Sequence, residues 1–384
     1  MNFNLTEEQE LIRKTAREFA LKELAPKAIE RDEKKIWPKE AIKKMGELGF
    51  MGMMVDSKWN GEGLDTVSYS IAMEEISRID ASASVIMSVN NSLVCYLLEK
   101  YSSEYIKEQY LSKLAKGEKL GAFSLSEPQS GSDASNMLTT ATKKGNYYLL
   151  KGTKNWVTNG LHSDYVIVFA ITTQGIGHKG ISCFIVEKKF SGFEAGKPED
   201  KLGIKSSDTT ELYFDYVKVP EENLIGKEGD GFKIALSTLD GGRIGIASQA
   251  LGIAQASLDN AIKYSKERVQ FNKPISANQG IQFKLADMAM GIESARLLIY
   301  KAACAKDNKE DFSCLASMAK VYASEVAMKA SIDCVQIHGG YGYIHEYDVE
   351  RFFRDAKILE IGEGTSEIQR MIIARDLIQS VQTV

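Results

Sequence analysis

The fold class is indicated most clearly by residues 281–302, which read IQFKLADMAMGIESARLLIYKA. Apolar residues recur in this stretch at alternating steps of four and three, so one side of a helix is apolar for more than three turns. Such a stripe is typical of the seam between the helices of a bundle. The stripe consists of Ile281, Leu285, Met288, Ile292, Ala295, Ile299 and Ala302.

Two further long helices are predicted on either side of this stretch. The earlier one carries apolar residues four apart at Ile246, Ala250, Ala254, Leu258 and Ile262. The later one carries its apolar face at Val321, Met328, Ile332 and Val335. The chain after about residue 231 is therefore predicted to be helical.

The middle of the chain has the composition of strands. Between about residues 121 and 231, short runs rich in Val, Ile, Tyr and Phe alternate with Gly and Asp. The strand pattern in Glu211–Val219 places Leu212, Phe214 and Tyr216 on one face. Helices flank this block and do not alternate with its strands, which favours antiparallel pairing over a doubly wound parallel sheet. The other clear strands are Tyr147–Leu150, Tyr165–Ile171 and Ile181–Glu187.

The first third of the chain is predicted to be helical. Thr6-Glu7-Glu8-Gln9 fits a capping box, which places a helix start at Thr6. Helical patterns return at Lys39–Leu48, Ser68–Arg78, Ser88–Tyr101 and Glu104–Ala115. The order is α–β–α, and we expect three domains over residues 1–119, 120–230 and 231–384.

Composition excludes several functional classes. Of 384 residues, 44% are hydrophobic and 26% charged, which is typical of folded globular proteins. A net charge of −4 offers no basic face for nucleic acid. No apolar run approaches the roughly 20 residues of a membrane span, and no targeting segment precedes Thr6, so we expect a cytoplasmic protein without a membrane partner. The five cysteines and four histidines lack ligand spacing, so neither disulfides nor a metal site is expected.

One apparent nucleotide motif is rejected. Gly175–Gly180 matches G-x-G-x-x-G, but the dinucleotide fingerprint requires a helix to follow it. Ile181–Val186 has the pattern of a strand instead, so a hairpin turn is expected. The G-x-S-x-G setting of a serine hydrolase is also missing.

Four short segments could carry chemistry, although each has an ordinary structural interpretation. Phe123–Asp133 could cup an aromatic ligand or be a turn between domains, and Asn155–Gly160 could be a packed strand end. Glu363 is flanked by glycines and is expected on a turn that a ligand can approach closely, although most such residues are solvated. Asp240–Arg243 fits a helix cap with a surface charge.

Taken together, these segments resemble the acyl-CoA dehydrogenase family, and most closely its short-chain, butyryl-CoA type. The resemblance is carried by DGGRIGIASQALGIA at 240–254, Tyr341-Gly342-Tyr343 and Arg354-Asp355-Ala356-Lys357, and it extends over nearly the whole chain. It implies an α+β multidomain fold with a helical N-terminal domain, a central β domain of barrel-like or sandwich form, and a C-terminal four-helix bundle. It also implies non-covalent FAD and a homotetramer.

The resemblance also assigns residues to ligands. Those around the flavin ring and its phosphates are Phe123, Leu125, Ser126, Ser132, Trp156, Val157 and Thr158. Those holding the nucleotide half of FAD across a subunit contact are Arg268, Phe271, Gln279, Gln336, Ile337, His338, Gly339 and Gly340. Thr365, Ser366 and Glu367 lie near the same FAD, and the acyl-CoA contacts are Ser132, Asp240, Arg243 and Gly364.

The implied reaction is the α,β-dehydrogenation of a short- or medium-chain acyl-CoA in fatty acid β-oxidation. Glu363 would remove the α-proton as general base while a hydride leaves to flavin N5, giving a trans-2-enoyl-CoA; electron-transferring flavoprotein would take the electrons. Burial should raise the pKa of Glu363 toward neutrality. Relatives that carry the base elsewhere have it at the position of Gly242, so Glu363 has no rival here.

Two alternatives accompany this interpretation, and so do departures from the family pattern, one of them Trp59-Asn60 where relatives usually have Tyr-Gly. The same fold could serve an acyl-CoA oxidase or flavin monooxygenase, and a non-catalytic helical assembly protein is the remaining alternative. Gly362 stands where relatives commonly have Tyr, which opens volume beside the reacting carbons and leaves the acyl preference undetermined. Asn272 stands where Gly usually follows the Arg-x-x-Phe motif.

Overall fold

A computed structural model describes residues 4–380, with helices up to Ala115, strands between Gly121 and Ile225, and helices again from Gly231. The helices are α1 Glu7–Phe19, α2 Ala28–Lys34, α3 Lys39–Glu47, α4 Thr66–Ser77, α5 Ala81–Ser88, α6 Tyr96–Tyr101, α7 Glu104–Ile106, α8 Ser112–Ala115, α9 Gly231–Glu267, α10 Gln279–Asp307, α11 Ser313–His338, α12 Val349–Lys357 and α13 Ser366–Ser380. The strands are β1 Gly121–Ser124, β2 Thr140–Lys144, β3 Tyr147–Thr158, β4 Tyr165–Ile171, β5 Ile181–Glu187, β6 Phe193–Ala195, β7 Thr209–Pro220, β8 Leu224–Ile225, β9 Val269–Gln270 and β10 Lys273–Pro274. The predicted α+β fold class is confirmed.

The first helix begins where the capping box predicted. The backbone N–H of Gln9 donates to Thr6 Oγ1 at 3.2 Å, and the Thr6 N–H donates to Gln9 Oε1 at 3.1 Å. Two backbone donors that have no partner within the helix are thereby satisfied.

Strands β1–β8 form one mixed sheet in the order β6-β7-β3-β2-β4-β5-β8, with β1 paired to β4. Most neighbours are antiparallel, as expected, but β1 runs parallel to β4, and β2 meets β4 in the same sense. The expectation of antiparallel pairing is therefore wrong for these two pairs. The β2–β3 hairpin lies between β1 and β4 in sequence and supplies the long connection that a parallel pair needs.

The predicted face of β7 is interrupted by a bulge. Leu212 and Phe214 are buried, but Tyr216 is 55% exposed and has a φ of +51°. The register with β3 shifts at this point, which turns Tyr216 outward and brings Val217 into the core. The prediction that Tyr216 shares a face with Leu212 and Phe214 is therefore wrong, because a bulge inserts one residue into the alternation.

Helix α9 runs through the C-terminal bundle and packs against α4, α10 and α11. The predicted seam of α10 is confirmed, with Met288, Ile292 and Ile299 buried. The predicted face of α11 is wrong: Ile332 is 50% exposed, and the buried face is built on small residues. Small side chains let α11 approach α9 closely, whereas Met328 and Val335 are only partly buried where they pack against the core. The small buried residues include Ala316, Ala319, Ala323, Ala327 and Ala330.

One apolar segment is longer than the sequence suggested. Residues Ala81–Tyr101 run as one helical stretch, with a π-helical segment at Val89–Cys95, and are long and apolar enough to cross a membrane. In the most apolar 18-residue part of this stretch, 89% is buried inside the protein. A core helix has this property as well, so the stretch is weak evidence for a membrane span.

The rejected nucleotide motif is a turn. A short 3-10 segment at Gly177–Gly180 leads directly into β5, which pairs antiparallel with β4. The predicted hairpin is confirmed.

Candidate active site

Glu363 lies on a tight turn between the 3-10 segment Ile358–Glu360 and helix α13. Its φ is +52°, and that of Gly364 is +96°. A left-handed backbone is costly for a residue with a side chain, and such strain is concentrated at functional sites. The turn directs the Glu363 carboxyl toward helix α9.

The carboxyl fits against α9 because residue 242 has no side chain. A Cβ atom at Gly242 would lie 2.3 Å from Glu363 Oε2 and 2.7 Å from Leu93 Cδ2. Gly242 therefore does more than lack the carboxylate of other branches: it provides the space that Glu363 occupies. A Cβ at Gly362 would instead meet only the Ile358 carbonyl oxygen, at 3.4 Å, and the Ile358 side chain.

The electrostatic setting suits a general base. Glu363 Oε2 is buried and has no hydrogen-bond partner within residues 4–380. Burial raises the pKa of Glu363 to about 7, against the opposing charges of Lys320 and Arg243. A carboxyl with this pKa can accept a proton near neutral pH.

Side chains from α11 and α13 hold the Glu363 turn in place by donating hydrogen bonds to its backbone carbonyl oxygens. Lys320 Nζ donates to the Gly364 carbonyl oxygen at 2.7 Å. Gln369 Nε2 donates to the same oxygen at 3.0 Å and to the Glu363 carbonyl oxygen at 3.3 Å. Sequence reasoning missed both residues: Lys320 contacts a backbone atom 44 positions away, and Gln369, although only five and six positions from its acceptors, belongs to no motif.

Asp240 and Arg243 are neighbours of Glu363 through α9. Arg243 is buried, forms an ion pair with Asp240, and donates to Ser317 Oγ at 3.4 Å. Asp240 also accepts from Ser313 Oγ at 3.0 Å. The cap-and-surface-charge interpretation of this motif is therefore wrong for Arg243, which is buried and lies more than three turns after the start of α9.

The segments predicted to surround the flavin ring lie side by side. The Asn155 N–H donates to the Ser126 carbonyl oxygen at 2.9 Å, which joins the end of β3 to the loop after β1. Trp156 has a φ of +59° and is 62% exposed, so a large flat ring faces outward. Leu125 and Val157 are buried, Phe123, Ser126 and Thr158 are half-buried, and Ser132 is exposed.

A buried ion pair beneath this loop was not predicted. Lys154 Nζ lies 2.8 Å from Glu127 Oε1, and both side chains are shielded from solvent. Burial opposes ionisation of Glu127, but Lys154 and the N–H groups of Leu138 and Thr139 lower its pKa to about 2. Burial lowers the pKa of Lys154 to about 8. The pair is charged near neutral pH and fixes the loop to β3.

The residues predicted for the nucleotide half of FAD form a second group. A cavity of about 500 Å³ lies at the end of α9 and is lined by Arg268, His338 and Tyr341. The Arg268 guanidinium lies 5.5 Å from the Tyr341 ring centre and forms neither an ion pair nor a hydrogen bond with any described residue. An unpaired cation in a cavity suits a pyrophosphate. Ile337, Gly339 and Gly340 also line this cavity.

The remaining predicted residues lie outside this cavity or near the Glu363 turn. Phe271 and Asn272 form the tip of the β9–β10 hairpin, both with positive φ, and Phe271 is 94% exposed. Asn tolerates this backbone well, so Asn272 can replace the usual Gly. Gln279 and Gln336 are exposed; Thr365 precedes α13, and Ser366 and Glu367 begin it, with Ser366 buried and Glu367 exposed.

The Glu363 turn and the Arg268 cavity are far apart within one chain. Gly242, against Glu363, lies about three turns into α9, and Arg268 follows the last residue of that helix. At about 1.5 Å per residue, roughly 40 Å of helix separate them. This exceeds the reach of a single dinucleotide between its ring and its pyrophosphate.

Comparison with known proteins gives consistent matches. Family models described as the N-terminal, middle and C-terminal domains of acyl-CoA dehydrogenase match residues 6–118, 122–217 and 229–378. The mitochondrial short-chain specific acyl-CoA dehydrogenase of Rattus norvegicus is 51% identical, covering 99% of this chain and 92% of the relative.

Two solved structures are also similar over nearly their whole length. Butyryl-CoA dehydrogenase from Megasphaera elsdenii is 49% identical with a TM-score of 0.97, covering 98% of this chain and 100% of the other. A chain from structural work on the electron transferring flavoprotein of Acidaminococcus fermentans is 49% identical with a TM-score of 0.98, covering 99% and 100%.

Proposed function

The chain belongs to the acyl-CoA dehydrogenase family, and we propose that it oxidises a short-chain acyl-CoA to the trans-2-enoyl-CoA and passes the electrons to electron-transferring flavoprotein. The observation that carries the proposal is the Glu363 carboxyl, which is buried, unpaired and held against Gly242. An amide in this place could not accept the α-proton, and a solvated carboxylate, with its lower pKa, would be a weaker base at neutral pH.

The cofactor is FAD, on which the family depends. When bound, it supplies the acceptor for the hydride that leaves the β-carbon. The residues present fit it: Trp156 offers an exposed ring beside Ser126 and Thr158, and Arg268 offers an unpaired cation in a cavity. We propose that the cofactor and substrate residues named from the sequence serve these ligands.

Two groups of Glu363, its carboxyl and its backbone N–H, then act on the acyl group. Glu363 accepts the α-proton on its carboxyl. The Glu363 backbone N–H donates no hydrogen bond to any described residue, so it is free to donate to the thioester oxygen as charge develops there. Burial of Glu363 Oε2 keeps water from that oxygen and strengthens its electrostatic interactions.

We further propose a homotetramer in the cytoplasm, with domains at residues 1–119, 120–230 and 231–384. The separation of Glu363 from Arg268 supports a cofactor site completed by a second copy of the chain. Phe271, three residues after Arg268 at the tip of the β9–β10 hairpin, is 94% exposed and is available to contact such a copy.

Anaerobic mixing of the yellow holoprotein with butyryl-CoA tests the proposal. We expect the flavin absorbance to be bleached, crotonyl-CoA to form, and electron-transferring flavoprotein to restore the colour. A protein that binds FAD but is bleached by no acyl-CoA from propionyl to octanoyl would contradict the proposal. Oxygen consumption without another acceptor, at the rate of bleaching, would indicate an oxidase instead.

A further inference from the structure

Lys320 lies in the interior of the protein without a carboxylate partner. It is on α11 among buried alanines, and its side chain is fully shielded from solvent. No ion pair involves it in the described part of the chain, and the hydrogen bond described for its Nζ goes to the Gly364 carbonyl oxygen. Burying a charge costs several kcal/mol, and a neutral carbonyl offsets this cost only in part.

Stability alone does not account for a lysine in this position. A methionine of similar length would fill the space without any charge to desolvate, and replacing buried charges with apolar residues often stabilises proteins. The location of Lys320 offers another reason. Its ammonium group holds the residue next to Glu363, and Glu363 is the buried anion with which it interacts most strongly.

We propose that Lys320 is a positioning residue for the reaction: it anchors the Glu363 turn through the Gly364 carbonyl oxygen, and its charge favours the ionised, proton-accepting form of Glu363. This inference rests on the proposed function of Glu363 as the base. It goes beyond that function by assigning part of the tuning to α11, on which no substrate or cofactor contact near the base was predicted.

Other charged and titratable groups also interact with the Glu363 carboxyl. On α9, Arg243 also favours ionisation of Glu363, but its charge is shared with Asp240. On α4, the Tyr69 hydroxyl interacts electrostatically with Glu363 and donates to Ser88 Oγ at 3.1 Å. The charges that act in turn on Lys320 or Arg243 are Glu360, Glu367 and Arg375.

The pKa values of Lys320 and Glu363 allow both groups to be charged at the same pH. Burial lowers the pKa of Lys320 to about 8, and burial raises the pKa of Glu363 to about 7. Near pH 7.5, the lysine is mostly charged and the carboxyl mostly ionised. Loss of the lysine charge should therefore move ionisation of Glu363 to higher pH.

Three substitutions separate the charge from the hydrogen bond. Lys320→Gln keeps an N–H donor but no charge, Lys320→Arg keeps the charge, and Lys320→Met keeps neither. Lys329→Met is the control, since Lys329 is on the same helix but exposed and paired with Asp333 at 3.1 Å. The measurements are the rate of anaerobic bleaching by butyryl-CoA from pH 5.5 to 9.5, the unfolding temperature, and the retained FAD.

We expect the acid limb of the bleaching rate to move up by about 1 pH unit or more in Lys320→Gln and Lys320→Met, and to stay in place in Lys320→Arg and the control. Lys320→Met should also lower the plateau rate by roughly tenfold, because the turn loses its anchor. If Lys320→Met does not fold, the Gln and Arg variants decide the question.

Coincident acid limbs in wild type and Lys320→Gln would overturn the role of Lys320, even if the unfolding temperature falls. That result, with a wild type that butyryl-CoA bleaches, leaves the proposed function intact. A wild type that no acyl-CoA bleaches overturns the proposed function and the role of Lys320 together.

Discussion

Gly242→Ala probes how closely Glu363 is fitted to its site. The added methyl carbon would lie 2.3 Å from Glu363 Oε2 and 2.7 Å from Leu93 Cδ2, so both side chains would have to shift. The carboxyl must retreat by about 1 Å to restore ordinary contact, and a misplacement of this size lowers a rate on the order of 10²-fold. The expected loss is in kcat, because the acyl-CoA still binds while its α-proton is out of reach.

The assay is rapid anaerobic mixing with butyryl-CoA, followed by the decay of flavin absorbance at saturating substrate. Gly362→Ala is the matched control, because its Cβ would meet only Ile358, at 3.4 Å. It adds the same methyl group to the neighbouring turn and should bleach within about threefold of wild type. A Gly242→Ala protein that bleaches as fast as Gly362→Ala would refute the reasoning.

Three further predictions concern pH, cofactor and stability. Glu363 must be ionised to accept a proton, and burial raises its pKa to about 7. The bleaching rate should therefore fall about tenfold for each pH unit well below pH 7. A rate unchanged from pH 5.5 to 8 would contradict this. Arg268→Ala should weaken FAD binding about 10- to 150-fold, through the loss of roughly 1.5–3 kcal/mol, whereas Lys266→Ala should not; equal flavin retention on a desalting column would count against it. Glu127→Gln should lower the free energy of unfolding by about 3–5 kcal/mol, and adding Lys154→Met should restore part of it; denaturant titrations that give equal stabilities would disprove the pairing.

The order of helices and strands could be predicted from sequence because it depends on local patterns. The capping box at Thr6 and the seam of α10 need only residues within a few turns of each other. The bulge at Tyr216 depends on the register with β3, a strand more than fifty residues away, and no local pattern shows it. The buried face of α11 was misjudged because alanines pack where larger apolar residues were expected.

The candidate site likewise contains residues that the sequence could predict and residues that only three-dimensional contacts reveal. Glu363 stands out in sequence because glycines flank it, and the resemblance gave it a role. The role of Gly242 as the space for the carboxyl required three-dimensional distances. Lys320 and the Glu127–Lys154 pair carry no motif, since each is defined by a contact with a residue at least 27 positions away.

The central claim is that the Glu363 carboxyl accepts the α-proton, and Glu363→Gln tests it most directly. The amide keeps the shape of the side chain but cannot accept a proton, so the variant should retain FAD, bind butyryl-CoA and bleach at least about 10³-fold more slowly than wild type. The measurement is the anaerobic bleaching rate of the purified, fully flavinated variant at pH 7.5. A rate within tenfold of wild type, at roughly equal flavin content, would contradict the assignment.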